Sequence, residues 1–358
     1  MKIIALLITR MVATRFVAVL LGIAFFVVSL EVVSYSSEIL NLAPGSSLIV
    51  PEYIAYRLPG TLLGYLPISM LIAILLTLTE LSHRNEMTAM LAAGLSPARL
   101  VVLLLPLAFV VGGINFLLGN SAVPAAVPTL RDWGIGDYGK EKFKVDRFDP
   151  IWMRSGPDIL RAASANAEST KLHDVIIFRR DADGLLREQI YAKDAVIEGE
   201  RWLLSDVLVY YRGTQAPNHL DEMVYSGNIR PAAAGSRSGD PEEMSIADLN
   251  YFIDNSGFGI RPVWVYQTWW HKRLSLFFSA LLMIAMSVPL MARFRRGGGL
   301  GLRFASGIGL GFLFFVGEGV SATMGEQGLL TPWLSAWLPL AVFAALAAVL
   351  LARSERVA

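Results

Sequence analysis

Six long apolar stretches alternate with polar segments along the chain, and they predict six membrane-spanning helices. A helix needs about 20 apolar residues to cross the hydrocarbon core of a bilayer. Each stretch is 18 to 20 residues long and carries at most one charged residue, which is Glu31 in the first and Glu318 in the fifth. The stretches cover residues 16–35, 62–79, 100–118, 274–292, 304–323 and 333–352.

The distribution of Lys and Arg predicts the orientation of these six spans. Basic residues collect in loops on the cytoplasmic side of a membrane. The outer loops 36–52 and 324–332 contain none. Both termini are therefore expected in the cytoplasm, and residues 121–270 are expected outside, between spans 3 and 4. The residues that orient the chain are Lys2, Arg10, Arg15, Arg84, Arg99, Arg293, Arg295, Arg296, Arg303, Arg353 and Arg356.

The composition divides into two parts. Of the 358 residues, 54% are hydrophobic and 17% are charged, which is too apolar for an ordinary cytosolic enzyme. The net charge of +1 hides an acidic insert, because residues 121–270 hold 17 Lys and Arg against 22 Asp and Glu. The absence of cysteine excludes a disulfide scaffold, an iron–sulfur protein, a zinc ribbon and a thiol enzyme.

The outer insert is predicted to be an all-β domain of the sandwich or jelly-roll type. Short strand-like segments lie at 151–154, 175–179, 187–192, 195–198 and 202–212, with turn signals between them. A linker rich in Ala, Gly and Ser follows at 231–241. Ser245 and Asp248 then form a capping-box pattern, which predicts a short helix to about Asn255. Trp264, Tyr266, Trp269 and Trp270 are typical of an aromatic belt at the outer interface.

The predicted fold is an α-helical membrane protein with six transmembrane helices and an inserted all-β, jelly-roll-like domain. Residues 1–120 hold the first three helices, 121–262 the β domain, and 263–358 the last three helices. The sequence contains no phosphate loop, no Gly-x-Ser-x-Gly and no His-Glu-x-x-His. Its four histidines lack metal-ligand spacing. Nothing in the sequence therefore supports an enzyme.

Charged residues near the outer ends of the spans allow two interpretations. Arg57, Lys272 and Arg273 either extend to the headgroups or form a basic rim that faces an anionic substrate. Glu31 and Glu318 either have a functional role, as acids within a membrane span often do, or reach water or pair with a neighbouring subunit.

The cytoplasmic segment 80–95 is the most specific part of the sequence. Met87, Met90, Leu91 and Leu95 form a narrow apolar stripe at helical spacing. Gly94 is expected to end the helix, Ser96 to cap span 3, and Pro97 to occupy its first position. A helix joined to a span in this way can transmit a displacement to that span. Methionine side chains are flexible and adapt to a docking partner. The alternative is an interfacial helix that lies on lipid.

The pattern Glu80-x-x-x-Arg84-x-Glu86-Met87 with Gly94 resembles the coupling helix of the LptF/LptG permeases of lipopolysaccharide export. The segments 192–196 and 202–207 are similar to the outer jelly roll of that family. Similar motifs continue at Trp270-His271-Lys272, at 307–315 and at 336–339, so the resemblance covers essentially the whole chain. The chain departs from the family at Leu276, where a proline is frequent, and at Tyr35, where LptG proteins can carry a lysine.

The resemblance implies a subunit in the inner membrane of a Gram-negative bacterium that extracts lipopolysaccharide. It implies a heterodimer with LptF, two copies of the ATPase LptB that bind the ATP, and LptC and LptA as receivers of the lipid. This chain itself would hold no cofactor. Segment 249–272 and the overall spacing favour LptG over LptF; the alternatives are the LptF paralogue and a membrane-anchored sensor or structural protein.

The resemblance also implies two groups of site residues. Glu86 would dock on the ATPase, with Met87, Met90 and Leu91 packing in its groove. The acidic β domain is expected to hold acyl chains on an apolar inner face and to leave sugars and phosphates outside. The expected coupling residues are Glu80, Arg84, Glu86, Met87, Met90, Leu91 and Gly94, and the expected gate or cavity residues are Glu31, Tyr35, Arg57, Lys272, Arg273 and Glu318.

Overall fold

The computed structural model describes residues 2–138, 151–166, 170–181, 184–199, 201–213, 216–227, 240–255, 261–292 and 300–355. Six helices in these ranges are long and apolar enough to cross a membrane, which confirms the predicted number of spans. The helices are α1 (Lys2–Ser34), α2 (Ser36–Leu42), α3 (Ile49–His83), α4 (Glu86–Ala92), α5 (Pro97–Leu117), α6 (Val123–Trp133), α7 (Ile246–Asp254), α8 (Val263–Ala292), α9 (Leu300–Glu326) and α10 (Pro332–Glu355). Spans 1, 2, 4, 5 and 6 are α1, α3, α8, α9 and α10. Span 3 is α5, which continues through one π-helical turn, Leu118–Ala122, into α6.

The spans are longer than the apolar stretches that predicted them. The apolar stretches end where charges begin, but the helices continue through Arg15 in α1 and Glu80 in α3. These two side chains form an ion pair with each other. Pairing offsets part of the cost of placing these two charges in helices that enter the membrane.

Small residues allow the spans to pack closely. A Cβ atom on Gly307 or Gly311 of span 5 would lie 2.7 Å from the side chain of Leu75 and 2.2 Å from that of Leu71, respectively, both in span 2. Glycine permits such close approach of helices in membranes, where no hydrophobic effect drives them together. The membrane unit, Met1–Val123 with Thr268–Ala358, is held by one buried core that these contacts extend.

In its described residues, the second unit, Pro124–Gln267, contains one antiparallel sheet whose six strands pair in sequence order. This confirms the predicted all-β insertion. The strands are β1 (Ile151–Ser155), β2 (Asp158–Ala165), β3 (Lys171–Arg180), β4 (Leu186–Glu198), β5 (Arg201–Tyr211) and β6 (Asn218–Tyr225). Strands β2 and β6 were not predicted, and the two predicted segments 187–192 and 195–198 are one strand.

An irregularity around Lys193 explains why the sequence pattern predicted two strands where the structure has only β4. Asp174 of β3 and Asp206 of β5 have positive φ values of 49° and 54°, and they flank Lys193 of β4. Along β4, the buried residues Ala192 and Ala195 are three positions apart across Lys193, whereas regular alternation would place buried residues two positions apart. The interrupted alternation mimics a strand end in the sequence. In the structure it bends the sheet, and buried residues from all six strands pack against one another.

The capping box at α7 is confirmed. The Ser245 Oγ accepts a hydrogen bond from the Asp248 amide at 3.2 Å, and the Ser245 amide donates to Asp248 Oδ2 at 3.3 Å. Most of the predicted linker, residues 231–239, lies outside the described residues, as do Arg293, Arg295, Arg296 and Arg356.

Candidate functional site

The segment after span 2, residues 80–95, consists of the last turn of α3 and the short helix α4. A single helix over 80–95 was expected, but Asn85 breaks it with a left-handed backbone, φ 60°. Asparagine adopts this conformation more readily than most residues. Glu80 and Arg84 therefore belong to the end of span 2, and Glu86 begins the separate helix.

The joint between α4 and span 3 has the predicted construction. Gly94 has a φ of 87°, and its amide donates to Leu91 O at 3.0 Å while the Leu95 amide donates to Met90 O at 3.0 Å. This pair of bonds is a Schellman motif, which ends a helix and directs the following chain. Ser96 then caps α5 by accepting a hydrogen bond from the Arg99 amide at 3.3 Å, and Pro97 is the first helical residue.

A side chain of span 3 reinforces this joint. Arg99 Nη1 donates to the Gly94 carbonyl at 3.0 Å, so the first turn of α5 binds the residue that ends α4. The Ser96 hydroxyl also donates to Glu355 Oε1 of α10 at 3.1 Å. Only two residues separate the end of the α4 cap from α5, and hydrogen bonds hold them from both sides. A displacement of α4 is therefore transmitted directly to span 3.

The faces of α4 have different surroundings. Met87 is 1% exposed and packs in the core of this chain. Met90, Leu91 and Leu95 are half-buried and pack against the same core, whereas Glu86, Thr88 and Ala89 are exposed. The apolar stripe thus fixes the helix to its own spans, and Met87 is not accessible to a partner in this conformation. The surface left for a partner comprises Glu86 and its exposed neighbours, with the outer edges of Met90 and Leu91.

Glu80 connects two spans beside this helix. Its carboxylate pairs with Arg15 of span 1 and, through Oε1, with Arg84 Nη2 at 2.6 Å. The two predicted coupling residues Glu80 and Arg84 therefore bind each other, and they connect span 1 to the turn that precedes α4.

Glu31 and Glu318 pair with two of the three basic residues that were predicted near the outer ends of the spans. Glu31 of span 1 accepts hydrogen bonds from Tyr53 Oη and Arg57 Nε of span 2, both at 2.8 Å, and the Glu31 and Arg57 side chains are only 12% and 17% exposed. In the other half of the chain, Lys272 Nζ of span 4 lies 2.7 Å from Glu318 Oε1 of span 5, with exposures of 11% and 20%. These cations are therefore held by carboxylates of their own chain, an arrangement that neither sequence interpretation contained.

The third basic residue lies in the contact between spans 3 and 4. Arg273 is 2% exposed, and a Cβ atom on Gly119 would lie 2.6 Å from its Nη1. About one turn before Gly119 in span 3, Asn115 Nδ2 donates to Leu276 O at 3.0 Å and to Ser279 Oγ at 3.2 Å. Span 3 is thus joined to span 4 by polar contacts as well as by packing. Helix α8 continues through Leu276.

Comparison with protein families identifies the chain. The model of the lipopolysaccharide export system permease LptF/LptG family matches residues 6–353. The chain belongs to the LptF/LptG family. The six apolar helices and the inserted six-stranded antiparallel sheet agree with the fold of this family. Comparison with curated proteins gave no match.

Four of the six gate residues predicted for this LptF/LptG chain form two ion pairs, Glu31 with Arg57 and Lys272 with Glu318. Tyr35 lies at the junction of α1 and α2, one helical turn after Glu31, and is half-buried. Sequence reasoning missed three contributors: Tyr53, Asn115 and the close glycines of span 3. Asn115 gave a usable signal, since an amide within an apolar span needs a partner in a neighbouring helix.

Sequence reasoning also interpreted Trp269 only as part of the aromatic belt. Its Nε1 donates to Glu326 Oε1 of span 5 at 2.6 Å. Together with the ion pair of Lys272 and Glu318, this bond gives spans 4 and 5 two polar contacts. In this LptF/LptG chain, these two contacts help to hold spans 4 and 5 together.

Proposed function

We propose that this chain is the LptG subunit of an ABC transporter that extracts lipopolysaccharide from the inner membrane. It pairs with LptF, and two copies of the ATPase LptB supply the energy. LptC and then LptA receive the lipid on the periplasmic side. Membership of the LptF/LptG family supports the permease role, and the tight joint between α4 and span 3 is the single observation that carries the mechanism.

The first step is docking of the ATPase on α4. Glu86 is exposed at the first turn of the helix, where its carboxylate is available to a basic or hydrogen-bonding group of the partner. The exposed Thr88 and Ala89 and the outer edges of Met90 and Leu91 complete the surface. Burial of Met87 in the core attaches the same helix to this chain, so a push on its outer face is passed inward.

The second step carries the displacement along span 3. The Schellman turn at Gly94, the cap at Ser96 and the bond from Arg99 make α4 and α5 move together. Asn115 and Gly112 of span 3 then engage the backbone of span 4. Closure of the ATPase pair would thereby move spans 3 and 4 as one body and reduce the cavity between this subunit and LptF.

The third step concerns the anionic headgroup of the lipid. Arg57 and Lys272 are the cations best suited to lipid phosphates, and at rest each binds a carboxylate of its own chain. A phosphate group that approaches either pair competes with Glu31 or Glu318 for the cation. Substrate binding would in this way loosen the contact between spans 1 and 2 or between spans 4 and 5, which couples lipid entry to gate movement.

The final step is acceptance of the acyl chains by the β domain. Its inner face is lined by apolar strand residues, while the insert that contains it carries a net negative charge. A negative domain does not attract a polyanionic headgroup at long range. The acyl chains therefore bind the inner face, and the sugars and phosphates stay outside.

Co-purification tests the assignment. The chain is expressed with an affinity tag together with LptB and with either LptF or a second LptG. Recovery of LptB only when LptF is present supports the proposed role as LptG. Recovery with LptG and not with LptF would assign the chain to LptF, and failure to recover LptB with either paralogue would contradict the transporter.

A further inference from the structure

A cavity of about 670 Å³ lies between spans 1 and 2, beside the ion pair of Arg15 and Glu80. This volume is within the range of sites that hold small molecules and cofactors. The two spans run in opposite directions, since Arg15 of α1 meets Glu80 near the end of α3, whereas Glu31 meets Arg57 near its start. The cavity therefore lies at the end of the helix pair that leads into α4, away from the pair of Glu31 and Arg57.

The wall of this cavity is polar at one end and apolar at the other. Arg15 and Glu80 line the polar end. About one helical turn further into the spans, Ala18 and Val19 of α1 and Leu76 of α3 line the apolar part. Leu76 is 39% exposed and Ala18 is exposed as well, so the apolar part can be reached from outside the helix pair. A ligand that fits this wall has a polar head and an apolar tail.

The guanidinium of Arg15 is only partly used by the chain itself. Its Nη2 pairs with Glu80 Oε2, whereas its Nη1 is buried and has no hydrogen-bond partner among the described residues. Buried polar atoms in proteins nearly always have a partner. The side chain is 25% exposed, so a small rotation of the guanidinium turns Nη1 toward a group in the cavity. Arg15 therefore offers an unused donor to a ligand.

The hydroxyl of Thr79 offers a second unused polar group on the same wall. Its Oγ1 is buried and has no hydrogen-bond partner among the described residues. Hydroxyl side chains in helices commonly donate to the carbonyl four residues earlier, which satisfies them within the membrane. Thr79 does not make this bond, so its hydroxyl is available to a ligand. The bond is made in spans 1 and 2 by Thr14, Thr61, Ser69 and Thr77.

The charges at the polar end favour an anionic group. Glu80 is the acceptor for both Arg15 and Arg84, so two guanidinium groups stand against one carboxylate. Guanidinium groups bind phosphate through strong, charge-assisted hydrogen bonds. A phosphate oxygen can accept from Arg15 Nη1 and from the Thr79 hydroxyl while Nη2 stays on Glu80. A phosphate head with an apolar tail is the chemistry of a phospholipid.

We infer that this cavity binds a glycerophospholipid of the bilayer. Its phosphate accepts from Arg15 and Thr79, and one acyl chain lies along Ala18, Val19 and Leu76. Basic residues predict that this end of the spans faces the cytoplasm, so the lipid comes from the cytoplasmic leaflet. The bound lipid fastens span 1 to the end of span 2 directly before α4. This inference does not depend on the proposed transport role, and lipid binding is measured without transport.

Photocrosslinking locates the lipid. A phosphatidylglycerol with a diazirine in the upper part of one acyl chain is added to the full chain within its detergent-solubilised complex. Peptide mass spectrometry should place the crosslinks within 15–19 and 76–83. Dioleoylphosphatidylglycerol should displace the probe, whereas equal concentrations of dioleoylglycerol or inorganic phosphate should not. Equal displacement by either of these two would overturn the inference, because it would show that the phosphate or the acyl chains have no role. Stronger displacement by lipopolysaccharide would assign the cavity to that lipid and would also overturn it.

Thr79→Val removes the unused hydroxyl and keeps the shape of the side chain. It should weaken displacement by dioleoylphosphatidylglycerol about tenfold or more, which is the effect of losing a hydrogen bond to a charged acceptor. Thr77→Val is the matched control, because the Thr77 hydroxyl is buried and donates to the Ala73 carbonyl at 2.7 Å. Equal displacement curves for Thr79→Val and Thr77→Val would overturn the inference. Without lipid, Thr79→Val should not lower the unfolding midpoint, and a lowered midpoint would assign the hydroxyl a structural role instead.

Filling the apolar part tests the position of the acyl chain. Ala18→Trp places a large side chain in the cavity and should abolish crosslinking there. Val17→Trp is the control, because Val17 is exposed on the same helix and does not line the cavity. Unchanged crosslinking with Ala18→Trp, or an equal loss with Val17→Trp, would contradict binding of the acyl chain at this site.

Discussion

Gly112 of span 3 faces the backbone carbonyl of Phe277 in span 4 so closely that a Cβ atom would lie 2.2 Å from the oxygen. A backbone oxygen in a helix cannot move aside as a flexible side chain can. The contact therefore requires glycine, and it fixes the distance between the two spans. Three residues later, Asn115 donates to the Leu276 carbonyl at 3.0 Å, which fixes their rotation as well.

Gly112→Ala should separate spans 3 and 4 and weaken the transfer of movement between them. Overpacking of a close contact costs about 1–3 kcal/mol of stability. Thermal unfolding of the complex in detergent and lipid export should both decline. Gly113→Ala is the matched control, because a Cβ atom there meets nothing within 4 Å. Equal effects of the two substitutions would show that the close contact has no special role.

The pair of Glu31 and Arg57 should show strong coupling in a double-mutant cycle. Glu31→Gln or Arg57→Gln alone leaves one charge in a mostly buried position and should cost about 3 kcal/mol. The double substitution should cost clearly less than the sum of the two single costs. Thermal unfolding of the four proteins measures the coupling. Additive losses would contradict the ion pair, and the same cycle on Lys272 and Glu318 tests the second pair.

The buried phenol of Tyr251 should make stability depend on alkaline pH. Burial raises the pKa of Tyr251 to about 12 from the ordinary value of 10.0, and its hydroxyl donates to the Arg154 carbonyl. The unfolded state loses its proton first, so the stabilisation is complete below pH 10 and is lost as pH rises toward 12. The loss is at most about 3 kcal/mol.

Unfolding midpoints between about pH 9 and about pH 12 measure this dependence. Tyr251→Phe removes the ionisable group, so its unfolding midpoint should fall less steeply with rising pH in that window than the midpoint of the unchanged chain. An identical slope for both proteins would show that Tyr251 does not contribute to the alkaline loss of stability.

The pattern of hydrophobicity and charge predicted the number of spans and the insertion of an all-β domain. It also predicted the joint at Gly94, Ser96 and Pro97, because glycine, serine and proline each have a local conformational reason to stand there. The break at Asn85 was missed because the apolar stripe of Met87, Met90, Leu91 and Leu95 begins after it and gives no signal at that position. The kink at Lys193 was read as a strand end, because the alternation of buried residues stops there.

Pairings between distant residues could not be predicted from one sequence. Glu31 and Arg57 were both identified as unusual, and so were Lys272 and Glu318, but hydropathy gives no distance between helices. The hydrogen bond from Tyr225 of β6 to Asp158 of β2 joins strands that are not neighbours in the sheet, and neither strand was predicted. The exposure of each face of α4 depends on how the helix packs, so the burial of Met87 could not be read from spacing alone.

The claim that α4 couples the ATPase to span 3 is tested most directly by the ratio of lipid export to ATP hydrolysis. This ratio is measured in vesicles that contain the reconstituted complex with Glu86→Lys. The charge reversal lies on the exposed face of α4 and should leave the fold intact, because the Glu86 side chain is exposed. We expect ATP hydrolysis to continue while export per ATP falls at least about tenfold, since reversing one charge of a pair at a docking surface costs about 1.4 kcal/mol or more. Thr88→Lys, on the same exposed face, is the control for a general effect of added charge. Export per ATP that is unchanged by Glu86→Lys would contradict the claim that α4 couples the ATPase to span 3.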